Sequence, residues 1–207
     1  MQNHSPTLVS WFCALLLAAL CASSARANAP DCVVVFNEIH YNPAGPGEDG
    51  EWIELFNQMG IRVDLSGWQL SGGIEYTFPR GTIVDPGSYL VIAKSPVGGQ
   101  LGPFFGSLDN GGERLRLINH SGRLMDLLDY GDSGRWPVVA DGSGATLAKR
   151  DPYTSNKPPE RWTRSSELGG TPGSGNFPSQ PPTGSTVLPL LDSANSWRFH
   201  QSGFAAP

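Results

Sequence analysis

The sequence has few charged residues, few cysteines and no long apolar run, and each shortage excludes a class of protein. Only 16% of the 207 residues are charged, which is too few for the heptads of a coiled coil. The 14 basic and 19 acidic residues give a net charge of −5. This balance argues against a dedicated nucleic-acid binder, because affinity for phosphate comes from clustered Lys and Arg.

Glycine and proline, in contrast, are abundant. The chain has 26 Gly and 18 Pro, about a fifth of its length against roughly 12% in average proteins. They follow no Gly-X-Y period, which excludes collagen. With 39% hydrophobic and 10% aromatic residues, the chain is also too apolar to be wholly disordered. A globular protein rich in turns is therefore expected.

The amino terminus reads as a secretory signal peptide. An apolar run of about twelve residues, Trp11–Ala22, is too short to span a bilayer, which needs roughly 20. It is followed by Ala25-Arg26-Ala27, an Ala-x-Ala cleavage pattern. We therefore predict a signal peptide at residues 1–27, a protein that is extracellular or in the periplasm or cell envelope, and no transmembrane segment after cleavage.

Cleavage would change both the charge and the cysteine count. Loss of Arg26 leaves 13 basic residues against 19 acidic ones, a net charge of −6. Of the three cysteines only Cys32 would remain, so no internal disulfide could form and the core alone must hold the domain. Cys32 itself is most simply interpreted as a small buried hydrophobe.

Short apolar runs separated by turn residues predict an all-β protein. No window after residue 27 keeps a helical period, and many short strands of this kind favour a β-sandwich or barrel. Pro86 and Gly87 occupy the second and third positions of a type II turn. Strands are predicted at Cys32–Ile39, Trp52–Phe56, Trp68–Leu70, Glu75–Phe78, Tyr89–Ala93, Arg114–Ile118, Leu124–Leu128, Ala145–Ala148 and near Trp162.

The composition changes towards the carboxyl end of the chain. From Gly169 to Thr186 the sequence has the Pro/Gly/Ser content of a linker. Residues 187–207 are apolar again but too few to bury a core of their own. We predict one sandwich domain at 28–176, a linker at 177–186, and a tail or the start of an incomplete second module at 187–207.

Two groups of acidic residues are candidate sites. Glu48, Asp49, Glu51 and Glu54 lie near Trp52, and paired carboxylates can serve acid–base catalysis. Strand alternation separates Glu51 from Glu54, however, so a solvated loop with one hydrogen-bonded glutamate is the favoured interpretation. The second group offers Asp129, Asp132 and Asp141 as candidate calcium ligands, although it lacks the EF-hand pattern and Asp also forms Asx-turns without metal.

A binding surface is suggested by two arginines and a tryptophan. Arg114 and Arg116 fall on one strand of a predicted hairpin, where they form a small basic patch for an acidic ligand or simply balance neighbouring carboxylates. Trp136, in a loop before Pro137, is a candidate exposed anchor for carbohydrate or protein. No catalytic residue, cofactor or resident metal follows from these patterns.

The ordered series of motifs between Asp31 and Asn176 resembles the lamin-tail domain family, in its bacterial secreted branch. Each piece is short, and their order carries the resemblance: Val35–Pro43, Glu51–Asn57, Val63–Leu70, Phe78–Thr82, Pro86–Ile92, Ser107–Glu113, Trp136–Pro137, Ala140–Gly142 and Gly169–Gly173. The resemblance implies an immunoglobulin-like β-sandwich without catalytic chemistry of its own.

The function expected from the resemblance is that of a secreted, non-catalytic interaction or spacer module. Its partner would be a protein or cell-surface component rather than nucleic acid. One alternative is an accessory domain belonging to a larger secreted enzyme. A second is a calcium-dependent carbohydrate-binding or adhesion module, which would use the aspartates named above.

Overall fold

The computed structural model describes residues 32–45 and 49–177. Within these ranges the chain forms twelve strands and two single-turn 3₁₀ helices, which confirms the all-β prediction. The strands are β1 (Val34–His40), β2 (Trp52–Asn57), β3 (Val63–Asp64), β4 (Gln69–Ser71), β5 (Ile74–Thr77), β6 (Ile83–Val84), β7 (Tyr89–Ala93), β8 (Phe105–Gly106), β9 (Arg114–Ile118), β10 (Leu124–Asp129), β11 (Ala145–Lys149) and β12 (Trp162–Leu168), and the 3₁₀ turns are Val138–Ala140 and Pro159–Arg161.

Two antiparallel five-stranded sheets form an immunoglobulin-like sandwich, as the sequence predicts. The first sheet has the order β12-β11-β1-β2-β7 and the second the order β10-β9-β4-β5-β8. A small third pair joins β3 to β6. The nine predicted strands are all present with small shifts of their ends. The three missed ones, β3, β6 and β8, have two residues each, too few to show an alternating pattern.

The core lies between the two sheets and follows from strand alternation. Ile53 and Leu55 of β2 and Leu115 and Leu117 of β9 are buried there, because successive side chains of a strand point to opposite faces. Trp68 also joins this core. Trp52 does not: it packs with Val91 and Ala93 on the outer face of the first sheet, as a separate cluster.

Two local predictions have different outcomes. The type II turn is confirmed: the Ser88 amide donates to the carbonyl of Asp85 (3.2 Å) and Gly87 has a φ of +62°. The expectation that Cys32 is a buried strand residue is wrong. Cys32 precedes β1, is half-buried, and has a φ of +52°, while its amide donates to the carbonyl of Met125 (2.8 Å).

After β12 the chain turns back over the outer face of the first sheet. We call residues 169–177 the strap. The side-chain amide of Asn176 donates to the carbonyls of Asn37 (3.0 Å) and Lys149 (2.8 Å), which fixes the strap across β1 and β11. The first part of the linker-like sequence is therefore packed against the sheet. The predicted linker beyond Phe177, the predicted tail and the predicted signal peptide lie outside the described residues.

Candidate interaction surface

The outer face of the second sheet lies open to solvent. Cross-strand register places Arg116 opposite Ser71, Ser71 opposite Glu75, and Glu75 opposite Phe105. Directly opposed residues share a face of the sheet, so these four side chains form one row across β9, β4, β5 and β8. We call the surface built around this row the open face.

The edge of the open face is shaped by the shortness of β8. This strand pairs only with Ile74 and Glu75 of β5, so that Tyr76 and Thr77 continue beyond it. A depression of about 320 Å³ lies there, lined by Glu75, Tyr76, Thr77, Pro103 and Phe105. Phe105 is 78% exposed, and aromatic side chains are enriched in contact surfaces.

The charges of the row are available for a partner. Arg116 and Glu75 are exposed, and neither forms an ion pair with any residue that the structure describes. Ser71 stands between them in the register. The row therefore offers a guanidinium, a hydroxyl and a carboxylate to one ligand, and charge-assisted hydrogen bonds from such groups orient a bound partner.

Arg114 lies in the next row and is already paired. Its Nη2 atom is 2.5 Å from Oδ2 of Asp129, which is directly opposite on β10. Both side chains are 56% exposed, so solvent screens the attraction. Arg114 and Arg116 are thus brought together on one face, as the sequence predicts for one hairpin strand, but with different electrostatic surroundings.

The Arg114–Asp129 pair is expected to contribute little to stability. A double-mutant cycle with Arg114→Ala and Asp129→Ala should give a coupling free energy of at most about 1 kcal/mol, reduced further in 1 M salt. Urea unfolding measures it. Arg116→Ala with Asp129→Ala is the matched control and should show no coupling. A coupling above about 2 kcal/mol for Arg114 would contradict this expectation.

The structure does not gather the three candidate calcium ligands into one site. Asp129 is held by Arg114, and Asp141 accepts a hydrogen bond from the side-chain amide of Asn42. Burial raises the pKa of the Tyr41 hydroxyl, and the charges of Asp141 and Asp132 raise it further. Across residues 32–45 and 49–177, no group of three or more His, Cys, Asp or Glu side chains is placed to hold a metal ion.

Trp136 differs from the expectation of an exposed anchor. It is half-buried and packs against the core, with its ring centroid 6.5 Å from that of Trp162. A Cβ atom at Gly131 would lie 3.1 Å from the indole, so this glycine leaves room for the ring. A role for Trp136 in binding stays a prediction, and its buried part has a packing role.

The carboxylates near Trp52 separate as alternation predicts. Glu51 turns to the core side, where one of its oxygens accepts from the amide of Leu108 (3.1 Å), whereas Glu54 lies on the outer face beneath the strap. Asp49 is exposed, and Glu48 lies outside the described residues. Glu54 is directly opposite Glu38 on β1, a residue that sequence reasoning missed.

The bulge in β1 explains why Glu38 was missed. The register shifts between Phe36 and Glu38, so simple alternation assigns Glu38 to the wrong face. The available signal was an Asn-Glu pair inside an apolar run. Glu38 and Glu54 are both 0% exposed and both accept hydrogen bonds from the strap. The two carboxyl groups therefore attach the strap to the first sheet, and neither is accessible to a substrate from solvent.

The protein belongs to the class of two-sheet antiparallel β-sandwiches. One outer face of this sandwich is covered by the strap and the other is open. Residues 27–132 match the family model of the Lamin Tail Domain. The match covers just over half of the chain, and the chain belongs to this family. The resemblance to the lamin-tail domain family is thereby confirmed.

The family is one of immunoglobulin-like domains that usually act as non-catalytic interaction modules. None of the curated proteins matches the chain. No helix among the described residues is long and apolar enough to cross a membrane.

Proposed function

We propose that this chain is a secreted, non-catalytic interaction module that holds a protein partner or other cell-surface component on its open face. Secretion is supported by the predicted signal peptide at residues 1–27. This segment ends where the family match begins, at residue 27. The absence of catalysis is proposed from the usual role of the family and from the burial of the Glu38–Glu54 pair.

The open face carries the binding part of the proposal. It combines an exposed aromatic side chain, Phe105, with an exposed arginine, Arg116. Aromatic residues and Arg are enriched in protein interfaces, where they supply most of the binding free energy. The corresponding outer face of the first sheet is covered by the strap. A partner at that face would contact the strap rather than the strands of the sheet.

The test compares capture by variants of the full chain from a cell-envelope extract. Arg116→Ser and Phe105→Ser each remove one member of the row. A partner that binds the open face should be retained by the parent and bound about tenfold more weakly by each variant, as truncation of an interface anchor typically gives. Dissociation constants are then measured with the purified partner.

Arg62→Ser is the matched control, because Arg62 is an exposed arginine paired with Asp85 (2.6 Å) and outside the row. It should bind as the parent does. Equal affinity of the parent and both row variants would reject the open face. Capture that needs calcium and survives the row variants would instead favour a calcium-dependent adhesion module.

A further inference from the structure

Two buried glutamates face each other beneath the strap. Glu38 on β1 is directly opposite Glu54 on β2, and both are 0% exposed. Side chains in such positions have Cβ atoms about 4.5–5.5 Å apart, and like charges there repel each other. Because both carboxyl groups are shielded from solvent while the strap covers them, ionisation of both at once has a large free-energy cost.

Each glutamate also anchors one residue of the strap. The amide and hydroxyl of Thr171 donate to Oε2 of Glu38, at 3.1 Å and 2.9 Å. The amide of Gly173 donates to Oε2 of Glu54 at 2.6 Å. The strap carries no charged side chain, so it brings no cation to the pair. These bonds favour the ionised form of each carboxyl group and so oppose the larger effect of burial, which favours the protonated form.

Two neutral side chains complete the shell around the carboxyl groups. The side-chain amide of Asn37 donates to Oε1 of Glu54 at 2.8 Å, and the hydroxyl of Thr146 on β11 donates to Oε1 of Glu38. These bonds stabilise the ionised forms without neutralising them.

The titratable groups nearby do not supply the missing cation. His40 lies two residues along β1 against Trp52, with its pKa lowered by burial. Tyr89 on β7 has a pKa raised by burial and by the charge of Glu54. Lys149 on β11 interacts with Asp126 instead, and Glu167 on β12 is exposed.

Burial of the pair fixes the direction of its pH dependence. Burial, assisted by the charge of Glu38, raises the pKa of Glu54 to about 8 from an ordinary value of 4.5. Burial likewise raises the pKa of Glu38. A carboxyl group with a raised pKa binds its proton more tightly when covered than in water, so the covered state is favoured at acidic pH and loses stability as the pH rises towards 8.

We propose that the strap is a pH-operated latch, which lies closed on the first sheet while the Glu38–Glu54 pair holds a proton and lifts when both carboxyl groups are ionised. An open cavity of about 350 Å³ lies between Pro172, Gly173, β7 and the loop at 97–100, so this part of the strap borders solvent rather than packed side chains. The latch is independent of the open face and of any partner bound there.

Amide hydrogen exchange on the full chain tests the latch, measured by NMR between pH 5 and pH 10 and corrected for intrinsic exchange rates. The amides of Thr171 and Gly173 report the strap, and that of Ile53, in the interior strand β2, reports the whole domain. Strap protection should fall about tenfold per pH unit up to about pH 8 and then level off. The protection of Ile53 should not follow it.

Matched glutamine variants assign the effect to the pair. Glu54→Gln keeps the shape of the side chain but cannot titrate, so the slope of strap protection with pH should be clearly smaller than in the parent. Burial still raises the pKa of Glu38 in this variant, so only the double variant Glu38→Gln, Glu54→Gln should lose the slope. Glu51→Gln is the control, because Glu51 is equally buried (1% exposed) but faces the core. This variant should keep the slope of the parent.

Two glycine variants test the latch without removing a titratable group. A Cβ at Gly170 would lie 2.6 Å from Oε1 of Glu38 and 2.8 Å from Cζ2 of Trp52, whereas one at Gly169 would meet nothing within 4 Å. Both glycines have similar φ values, +77° and +79°, so alanine strains the backbone equally. Gly170→Ala should lower strap protection at pH 5 to near the value of the parent at pH 9, and Gly169→Ala should not.

Three results would overturn the latch. The first is strap protection in the parent that does not change with pH. The second is a slope in Glu54→Gln as steep as that of the parent, or equal protection in the two glycine variants should the glutamine variant fail to fold. The third is a parallel loss at Ile53, which would mean that the whole domain opens.

Discussion

Lys149→Met is expected to lower the free energy of unfolding by about 1–3 kcal/mol at pH 7, because the ammonium group of Lys149 donates to the carbonyl of Pro152 (3.4 Å) and attracts the carboxylate of Asp126. Lys149 and Asp126 are almost fully buried, at 0% and 2% exposure. Burial raises the pKa of Asp126 to about 6 and lowers that of Lys149 to about 8, and the charge of each residue partly offsets the shift of the other. Asp126 also accepts from the amide of Phe36 (2.8 Å), which ties β10 to β1. Removal of the ammonium group leaves a buried carboxylate without its counter-charge.

The size of this effect is measured by urea unfolding. The double variant Asp126→Asn, Lys149→Met should lose clearly less stability than the sum of its two single variants, because the second change removes the charge that the first leaves uncompensated. Lys157→Met is the control, since Lys157 is exposed and should change stability by no more than about 0.5 kcal/mol. Additive losses would contradict a coupled pair.

Trp162→Ala is the second large effect, with an expected loss of about 3–5 kcal/mol. Trp162 begins β12, is 1% exposed and belongs to the main core. Its indole N–H donates to the carbonyl of Asn156 at 3.1 Å, which holds the preceding loop against the sheet. Alanine would leave both a large cavity and an unsatisfied carbonyl. Thermal and urea unfolding measure the loss.

Two further substitutions separate the contribution of the Trp162 hydrogen bond from that of its packing. Trp162→Phe keeps most of the ring but not the hydrogen bond, and should cost about 1–3 kcal/mol for the unpaired group together with the lost ring volume. Trp136→Ala should cost less than Trp162→Ala, because Trp136 is only half-buried. Equal losses at Trp136 and Trp162 would show that the two rings form one packing unit.

The strands and the family were predictable from the sequence because they depend on local patterns. The alternating pattern of β2 puts Ile53 and Leu55 on the same face, and both are buried in the core. The Pro86-Gly87 pair indicates the turn before β7. Glu38 was not predictable, because a bulge changes the face of every later residue in a strand. The strap was hidden for another reason: its Gly- and Pro-rich composition is that of a linker, and only long-range contacts such as Asn176 with Asn37 distinguish it.

The open face was predictable in part. Two of its arginines were identified from one strand, but the ion pair between Arg114 and Asp129 depends on the register of β9 against β10. The row that reaches Phe105 depends on three further register relations and on a strand of two residues. Which residues lie opposite each other on neighbouring strands depends on the tertiary structure, and it cannot be read from a single sequence.

The position of β11 has a consequence for the order in which the domain is completed. β11 lies between β12 and β1 and pairs Ala148 with Glu38 across 110 residues of chain, and it follows the part matched by the family model, which ends at residue 132. During synthesis β1 therefore has one unpaired edge until the last strands have been made. Such edges recruit other chains and long-range pairing is slow, so an unfinished chain is the form of this protein most exposed to aggregation and most in need of a chaperone.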